Sequence, residues 1–229
     1  MKVASSVPVV AIDGPVGSGK GTISTRLAER LGWFILDSGA LYRLVAIAAI
    51  DAGVDAQNHE ALSSIATDLD FAFKRDEAQT RPILAGKDVS NRLRTESISE
   101  MASKVAGIES VRSAMVDRQR AFARPPGLVA DGRDMGTVIF PDADLKIFLT
   151  ASVKIRAMRR YKQLKEKGES VNLSRLFRDI EARDERDTTR AVAPLKPAEN
   201  SIIIDSTERS INEVLDSIHE MVKERVIKS

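Results

Sequence analysis

Four glycines, a lysine and a threonine crowd into Gly14-Pro15-Val16-Gly17-Ser18-Gly19-Lys20-Gly21-Thr22. The stretch lies between an apolar run (Val7, Val9, Val10, Ala11, Ile12) and the helical pattern Ile23, Leu27, Leu31. So much glycine between a strand and a helix signals close approach of the backbone to a ligand. Successive N–H groups in such a loop form a concave anion site, backed by the positive end of the next helix. Gly14, Gly19 and Lys20 fit the G-x-x-x-x-G-K phosphate loop, whose lysine follows the β- and γ-phosphates as charge builds up during transfer. Gly21 departs from that pattern, which places Ser or Thr directly after the lysine; here Thr22 comes one position later. A Gly-rich turn with a surface lysine is the plainer alternative, and the flanking strand and helix argue against it. Lys20 is expected to be a solvent-facing catalytic charge.

A phosphate loop binds a nucleotide and leaves the reaction open. Asp37-Ser38-Gly39-Ala40-Leu41-Tyr42-Arg43 puts Ser38, Tyr42 and Arg43 at a strand-to-helix turn. Asp37 or Ser38 could simply be the N-cap of the helix expected over 40–52. Arg43 precedes an almost wholly apolar stretch, which favours its burial near an anion. Asp131, Arg133 and Asp134 fall within four residues at a strand end, bracketed by Gly132 and Gly136. Two carboxylates and a guanidinium so close cost desolvation unless each has a partner. Either they form a structural salt-bridge cluster or they bind a ligand, the guanidinium taking phosphate and a carboxylate taking an amino group. Arg156 and Arg160 stand at i, i+4 with Arg159 beside them, and Arg183, Asp187 and Arg190 at i, i+4, i+7 if the helix persists that far. A solvated charged face would account for many such residues. Arginines on a closing flap would also neutralise transferring phosphates.

These residues need elements to hold them. The apolar runs predict strands at 7–13, 33–36, 128–130, 145–151 and 202–204. A weak hairpin or small sheet is expected at 70–73 and 82–85. Helical spacing predicts helices over 96–106, 108–123, 155–164 (ended by Lys167-Gly168), 173–180 and 211–222. Strands alternating with helices imply a parallel sheet covered on both faces, with ligands beyond the C-terminal strand ends. The loop, Asp37-Ser38, Asp131 to Asp134 and the start of the Arg156 helix would all meet there.

Composition bounds the rest. At 229 residues, 43% hydrophobic and 30% charged, the chain suits one soluble α/β domain. No apolar run has membrane-spanning length, and Met1 to Ala11 lacks a signal-peptide pattern. Cysteine is absent, which removes thiolate chemistry and suits the cytoplasm. His59 and His219, the only histidines, are far apart and expected at the surface. Residues 154–190 carry eight Arg and four Lys against seven acidic residues, although the chain as a whole is only +2. Such a basic segment could grip polyphosphate or nucleic acid, but aromatic residues do not interleave with it, which weakens the second option.

Four motifs together resemble the bacterial cytidylate kinases of the nucleoside monophosphate kinase family. They are G-P-x-G-S-G-K-G-T from Gly14, D-S-G-A-L-Y-R from Asp37, A-D-G-R-D-M-G-T from Ala130 and R-D-x-R-D-x-x-R-A-V-A-P from Arg183. The similarity spans nearly the whole chain, and a glycine after the loop lysine is typical of these kinases. The resemblance implies an α/β fold of the P-loop nucleoside monophosphate kinase type, with a five-stranded parallel sheet flanked by helices. It implies a single kinase domain with a core (about 1–38, 107–153 and 192–229), a monophosphate-binding region with an insert (about 39–106) and a short lid (about 154–191).

By the same resemblance, Gly14, Pro15, Val16, Gly17, Ser18, Gly19, Lys20, Gly21 and Thr22 bind ATP. Arg43, Arg133 and Arg190 hold the CMP phosphate, Ser103, Arg112 and Asp134 read cytosine, and Arg183 with Asp187 holds the sugar. Ser38 and Tyr42 line the acceptor site. Arg156 and Arg160 face the transferring phosphoryl group, with Arg159 the competing choice; with Lys20 and Arg133 they form the catalytic set. Mg²⁺ accompanies ATP, with its ligands unassigned and Thr22 left open. The implied reaction is ATP + CMP (or dCMP) to ADP + CDP (or dCDP). A cytoplasmic monomer with no nucleic-acid or membrane partner is expected. The chemistry agrees, because cytosine offers a donor at N4 to Asp134 and acceptors at N3 and O2 to Arg112 and Ser103. Uracil reverses the pattern at N3 and O4, a mismatch that buried sites reject. A switch-type GTPase would share the loop, but the guanine-reading N-K-x-D motif is missing. A nucleic-acid-stimulated ATPase would share it too, as would a kinase of broader UMP/CMP range.

Overall fold

Short apolar runs alternate with amphipathic ones, and each folds according to its period. In chain order the elements are β1 (Val9–Asp13), α1 (Lys20–Leu31), β2 (Phe34–Asp37), α2 (Ser38–Asp51), α3 (His59–Thr67), β3 (Phe71–Arg75), β4 (Thr80–Leu84) and β5 (Lys87–Asp88). They continue with α4 (Ser90–Leu93), α5 (Glu96–Val105), α6 (Glu109–Arg120), β6 (Leu128–Gly132), β7 (Leu145–Thr150), α7 (Val153–Glu166), α8 (Leu173–Thr189), β8 (Ile202–Asp205) and α9 (Ile211–Val222). π-Helical turns occupy Met135–Ile139 and Lys223–Ile227. The computed structural model describes residues 7–75, 80–166 and 168–227. Met1 to Ser6, and Lys167 of the expected helix stop, lie outside the described residues.

The chain divides into two compact units, one comprising the chain up to Asp37 and from Arg120 onward, the other Ser38–Gln119. The first unit holds a five-stranded sheet in the order β2-β6-β1-β7-β8, with every neighbouring pair parallel. β1 is central and buried along its whole length. Val10 lies between Val129 and Leu145, and Ile12 between Asp131 and Ile147. That register brings Asp13, Asp131 and Gly132 to one end of adjacent strands. Ile23 and Leu27 of α1 and Val214, Leu215 and Ile218 of α9 join Val10, Ile12, Val129, Ile147 and Leu149 in the core. Each such side chain contributes about 1.5–3 kcal/mol on burial. This is the helix-flanked parallel sheet that the strand–helix alternation implied.

In the second unit the weak alternation near residue 70 becomes a three-stranded antiparallel sheet, β3-β4-β5. α3 was not expected. Only Leu62 and Ala66 of its nine residues are buried, so its apolar stripe is too short to stand out, though Asn58 caps it through Ala61 N–H. No described helix is long and apolar enough to cross a membrane.

Candidate active site

β1 runs into the phosphate loop without slack. A Cβ on Gly14 would sit 2.0 Å from the Leu149 carbonyl oxygen of β7, so only glycine fits there. The loop ends at Gly19, the N-cap of α1, and Lys20 opens the helix. Lys20 is buried, not solvent-facing as its sequence context suggested; its Nζ donates to the Pro15 carbonyl at 3.2 Å, folding the side chain back over the loop. Burial holds its amine below the ordinary lysine range, reinforced by Arg133 and opposed by Asp131 and Asp37.

Asp131 lies near the start of α1: a Cβ on Gly21 would be 3.3 Å from its Oδ2. Burial pushes its carboxyl above the usual range, against the pull of Lys20 and Arg133. Its Oδ1 and the buried Ser18 Oγ have no hydrogen-bond partner among the described residues. Buried polar atoms are ordinarily satisfied, so two such atoms beside one loop suit a polar ligand. Asp13 is buried and accepts from Met135 N–H and Gly136 N–H, each at 2.8 Å. It thereby ties β1 to the segment carrying Arg133 and Asp134. Burial raises its carboxyl to about 6 despite those two bonds.

Arg133 Nε donates to Asp187 Oδ2 at 2.7 Å, and both side chains are largely buried. Burial alone would raise the Asp187 carboxyl; Arg133, Arg183 and Arg190 outweigh it and hold the group below the usual carboxylate range. The pair joins the strand-end cluster to α8. Asp134 is buried and precedes the π-helical turn at 135–139. Arg183 is half-buried on α8. Arg190, expected in register with Arg183 and Asp187, falls just past the helix end, in extended backbone, and donates to the Ala193 carbonyl at 2.6 Å. The helical spacing therefore holds for Arg183 and Asp187 and breaks at Arg190.

α7 presents three arginines. Arg156 is buried, with Nε on the Ala151 carbonyl at 2.8 Å, Nη1 on the Val16 carbonyl at 3.1 Å, and both terminal nitrogens on Asp184. Arg159 donates to the Ser18 carbonyl at 3.2 Å and to Ser206 Oγ and O at 3.1 and 2.7 Å. Arg160 is half-buried. Thr22, the residue displaced by Gly21, is exposed.

The second unit has its own polar set. Ser38 begins α2, two residues earlier than expected, and is a helix residue, not its cap; its Oγ donates to Gln119 Oε1 at 2.7 Å. The Arg112 guanidinium lies 5.6 Å from the centre of the buried Tyr42 ring and donates to the Ala106 carbonyl at 2.9 Å. Ser103 is buried on α5. Arg43 is only half-buried and donates weakly, at 3.4 Å, to the Leu93 carbonyl.

Sequence reasoning passed over Asp13, Gln119, Asp184 and Ser206. Asp13 carried a signal, since a carboxylate ending a wholly apolar strand must find donors. Asp184 stands in the R-D-x-R-D motif, but its partner Arg156 is distant in sequence, and Ser206 carried no signal for the same reason.

A family model described as cytidylate kinase matches residues 10–224. A cytidylate kinase of Pseudomonas fluorescens is 60% identical over 213 residues, covering 92% of this chain and 93% of that one. Those of Pseudomonas entomophila and Pseudomonas putida are 58% and 57% identical, over 218 and 223 residues. The first match covers 94% of this chain and 96% of the relative, the second 96% and 98%.

Proposed function

We propose that this chain, which belongs to the cytidylate kinase family, transfers the γ-phosphoryl group of ATP to CMP or dCMP, giving ADP and CDP or dCDP. The observation that carries the mechanism is the buried charge cluster at the strand ends, where Lys20, Asp131, Arg133 and Asp187 lie beside a loop built for phosphate. A CMP phosphate oxygen attacks the γ-phosphorus in line, and the bond to the β,γ-bridging oxygen breaks. The attacking oxygen is already ionised, so no general base is needed, and catalysis rests on positioning and electrostatics.

Gly14 to Thr22 cradle the ATP phosphates, and Lys20 follows the charge that moves onto the bridging oxygen. Arg133 and Arg160 neutralise the phosphoryl oxygens, with Arg156 adding charge from beneath the loop. The unsatisfied Asp131 Oδ1 and Ser18 Oγ fit a magnesium ion delivered with ATP, since Mg²⁺ commonly takes one or two carboxylates and otherwise keeps water and substrate phosphate. When bound, it shields the phosphate charge. Arg43, Arg133 and Arg190 hold the CMP phosphate, Arg183 and Asp187 the sugar, and Ser38 and Tyr42 line the acceptor site. Residues 154–191 act as a short lid over the core, and residues 39–106 as the monophosphate-binding region. A monomer in the cytoplasm, without nucleic-acid partners, fits this chemistry.

Base choice rests on Asp134 accepting from cytosine N4, with Arg112 and Ser103 donating to N3 and O2. Asp134→Asn should harm CMP far more than UMP, because the amide can donate to uracil O4. A charge-assisted hydrogen bond at a buried site is worth about 1.5–3 kcal/mol. The CMP/UMP ratio of kcat/KM should therefore shrink roughly ten- to a hundredfold, and that ratio cancels any loss of active enzyme. An unchanged ratio would end the base-reading role of Asp134.

A further inference from the structure

Two guanidiniums three residues apart on α7 grip two carbonyls two residues apart in the phosphate loop: Arg156 holds Val16 and Arg159 holds Ser18. A trans peptide unit is planar, with its C=O and N–H pointing in opposite directions. Fixing the Val16 and Ser18 carbonyls toward α7 therefore fixes the Gly17 and Gly19 N–H groups the other way. We propose that Arg156 and Arg159 are positioning residues that set the direction of the Gly17 and Gly19 amides, and that Asp184 and Ser206 brace them for that task. This rests on the reading that the loop binds the ATP phosphates, and it assigns to the α7 arginines a role that needs no contact with ATP.

The packing is close enough for the task. A Cβ on Gly17 would lie 3.0 Å from Arg156 Cβ, and one on Gly19 would lie 3.9 Å from Arg159 Nη1. Each arginine is also held from a third side. Asp184, one residue after Arg183 on α8, takes both terminal nitrogens of Arg156. Ser206, just after β8, receives Arg159 on both its hydroxyl and its carbonyl. Its Oγ also lies 3.1 Å from the Ser18 carbonyl and 3.0 Å from that of Thr150, sharing one proton between them. Ser206 N–H returns to the Thr150 carbonyl at 2.8 Å, so the brace is anchored on β7. A forked guanidinium can hold carbonyl and brace at once, which a lysine ammonium on a flexible stem does less well.

The alternative is that these arginines are phosphate ligands, parked on the loop until ATP arrives. The two ideas differ in what releasing the arginines does. Ser206→Ala removes the hydroxyl half of one brace, Asp184→Asn takes the charge from the other, and both leave the two guanidiniums in place. If the arginines position the loop, both variants should bind ATP and inorganic tripolyphosphate about three- to tenfold more weakly by calorimetry. Their KM for CMP should stay within about twofold. Asp184→Asn should add nothing further in an Arg156→Gln background, since its effect passes through Arg156. Unchanged or tighter tripolyphosphate binding would overturn the proposal in favour of parked ligands. Equal losses toward ATP and CMP would overturn it in favour of general loosening. Should Asp184→Asn fail to fold, Ser206→Ala carries the test, made also in an Arg159→Gln background, where an undiminished loss would assign the effect to the Ser206 hydroxyl's own bond to the Ser18 carbonyl and overturn the role of Arg159. A wild-type chain that binds neither probe would overturn the ATP reading itself, and the positioning role with it.

Discussion

Lys20 shows how burial changes the meaning of a motif residue. An ammonium on the surface would cost the fold nothing to keep; buried, with Asp131 pulling against burial, it is held at a cost in stability. Lys20→Met, which keeps the stem and removes the charge, should cut transfer by at least about a hundredfold while circular dichroism shows the fold retained. Near-normal turnover would remove Lys20 from the mechanism. Asp13 makes a different prediction, because its folded value near 6 lies above the ordinary carboxylate value of 3.8. The folded state then binds the extra proton, so this group's stabilising contribution is full below about pH 4 and is lost as pH rises to 6. The margin of the wild type over Asp13→Asn in chemical denaturation should narrow by up to about 3 kcal/mol across that window and be flat above it. A margin that widens with pH would contradict the assignment.

Elements were legible where their period was strong. The five parallel strands and α9 follow directly from apolar runs and i, i+3, i+4 spacing, as Ile211, Val214, Leu215, Ile218 and Val222 illustrate. α3 was not legible, because it buries so little, and the break at Arg190 depends on tertiary bonding after α8 that no local pattern announces. The motifs pointed to Arg133 and Asp187 separately; that the two share an ion pair is a fact of the sheet and α8 coming together. Two substitutions separate an element's stability from its function. Ser210 and Glu213 form a reciprocal cap on α9, so Ser210→Ala should cost about 1 kcal/mol of stability and leave kcat/KM alone. Gly14→Ala drives a methyl group into the Leu149 carbonyl and should destabilise the β1–β7 junction by several kcal/mol, with loss of ATP binding. Equal, mild effects of the two substitutions would mean that the tight approach of the loop to β7 is unimportant.

Over the full chain, the uneven charge has an internal use. The basic segment of residues 154–190 does not present all its charge to solvent: Arg156 is engaged by Asp184 and the loop, and Arg159 by Ser18 and Ser206. What an isolated count reads as a basic patch is in part engaged inside the molecule, on the Gly-rich loop between β1 and α1, which is why composition alone left nucleic acid open. The proposed function stands or falls on the choice of acceptor. A coupled assay with ATP should be run with CMP, dCMP, UMP, AMP and GMP in turn, and with RNA in place of a nucleotide. CMP and dCMP should be phosphorylated with a kcat/KM at least about tenfold above UMP, AMP and GMP should be poorer still, and RNA should leave ATP turnover unchanged. UMP used as well as CMP, or ATP hydrolysis stimulated by RNA without any acceptor, would contradict it.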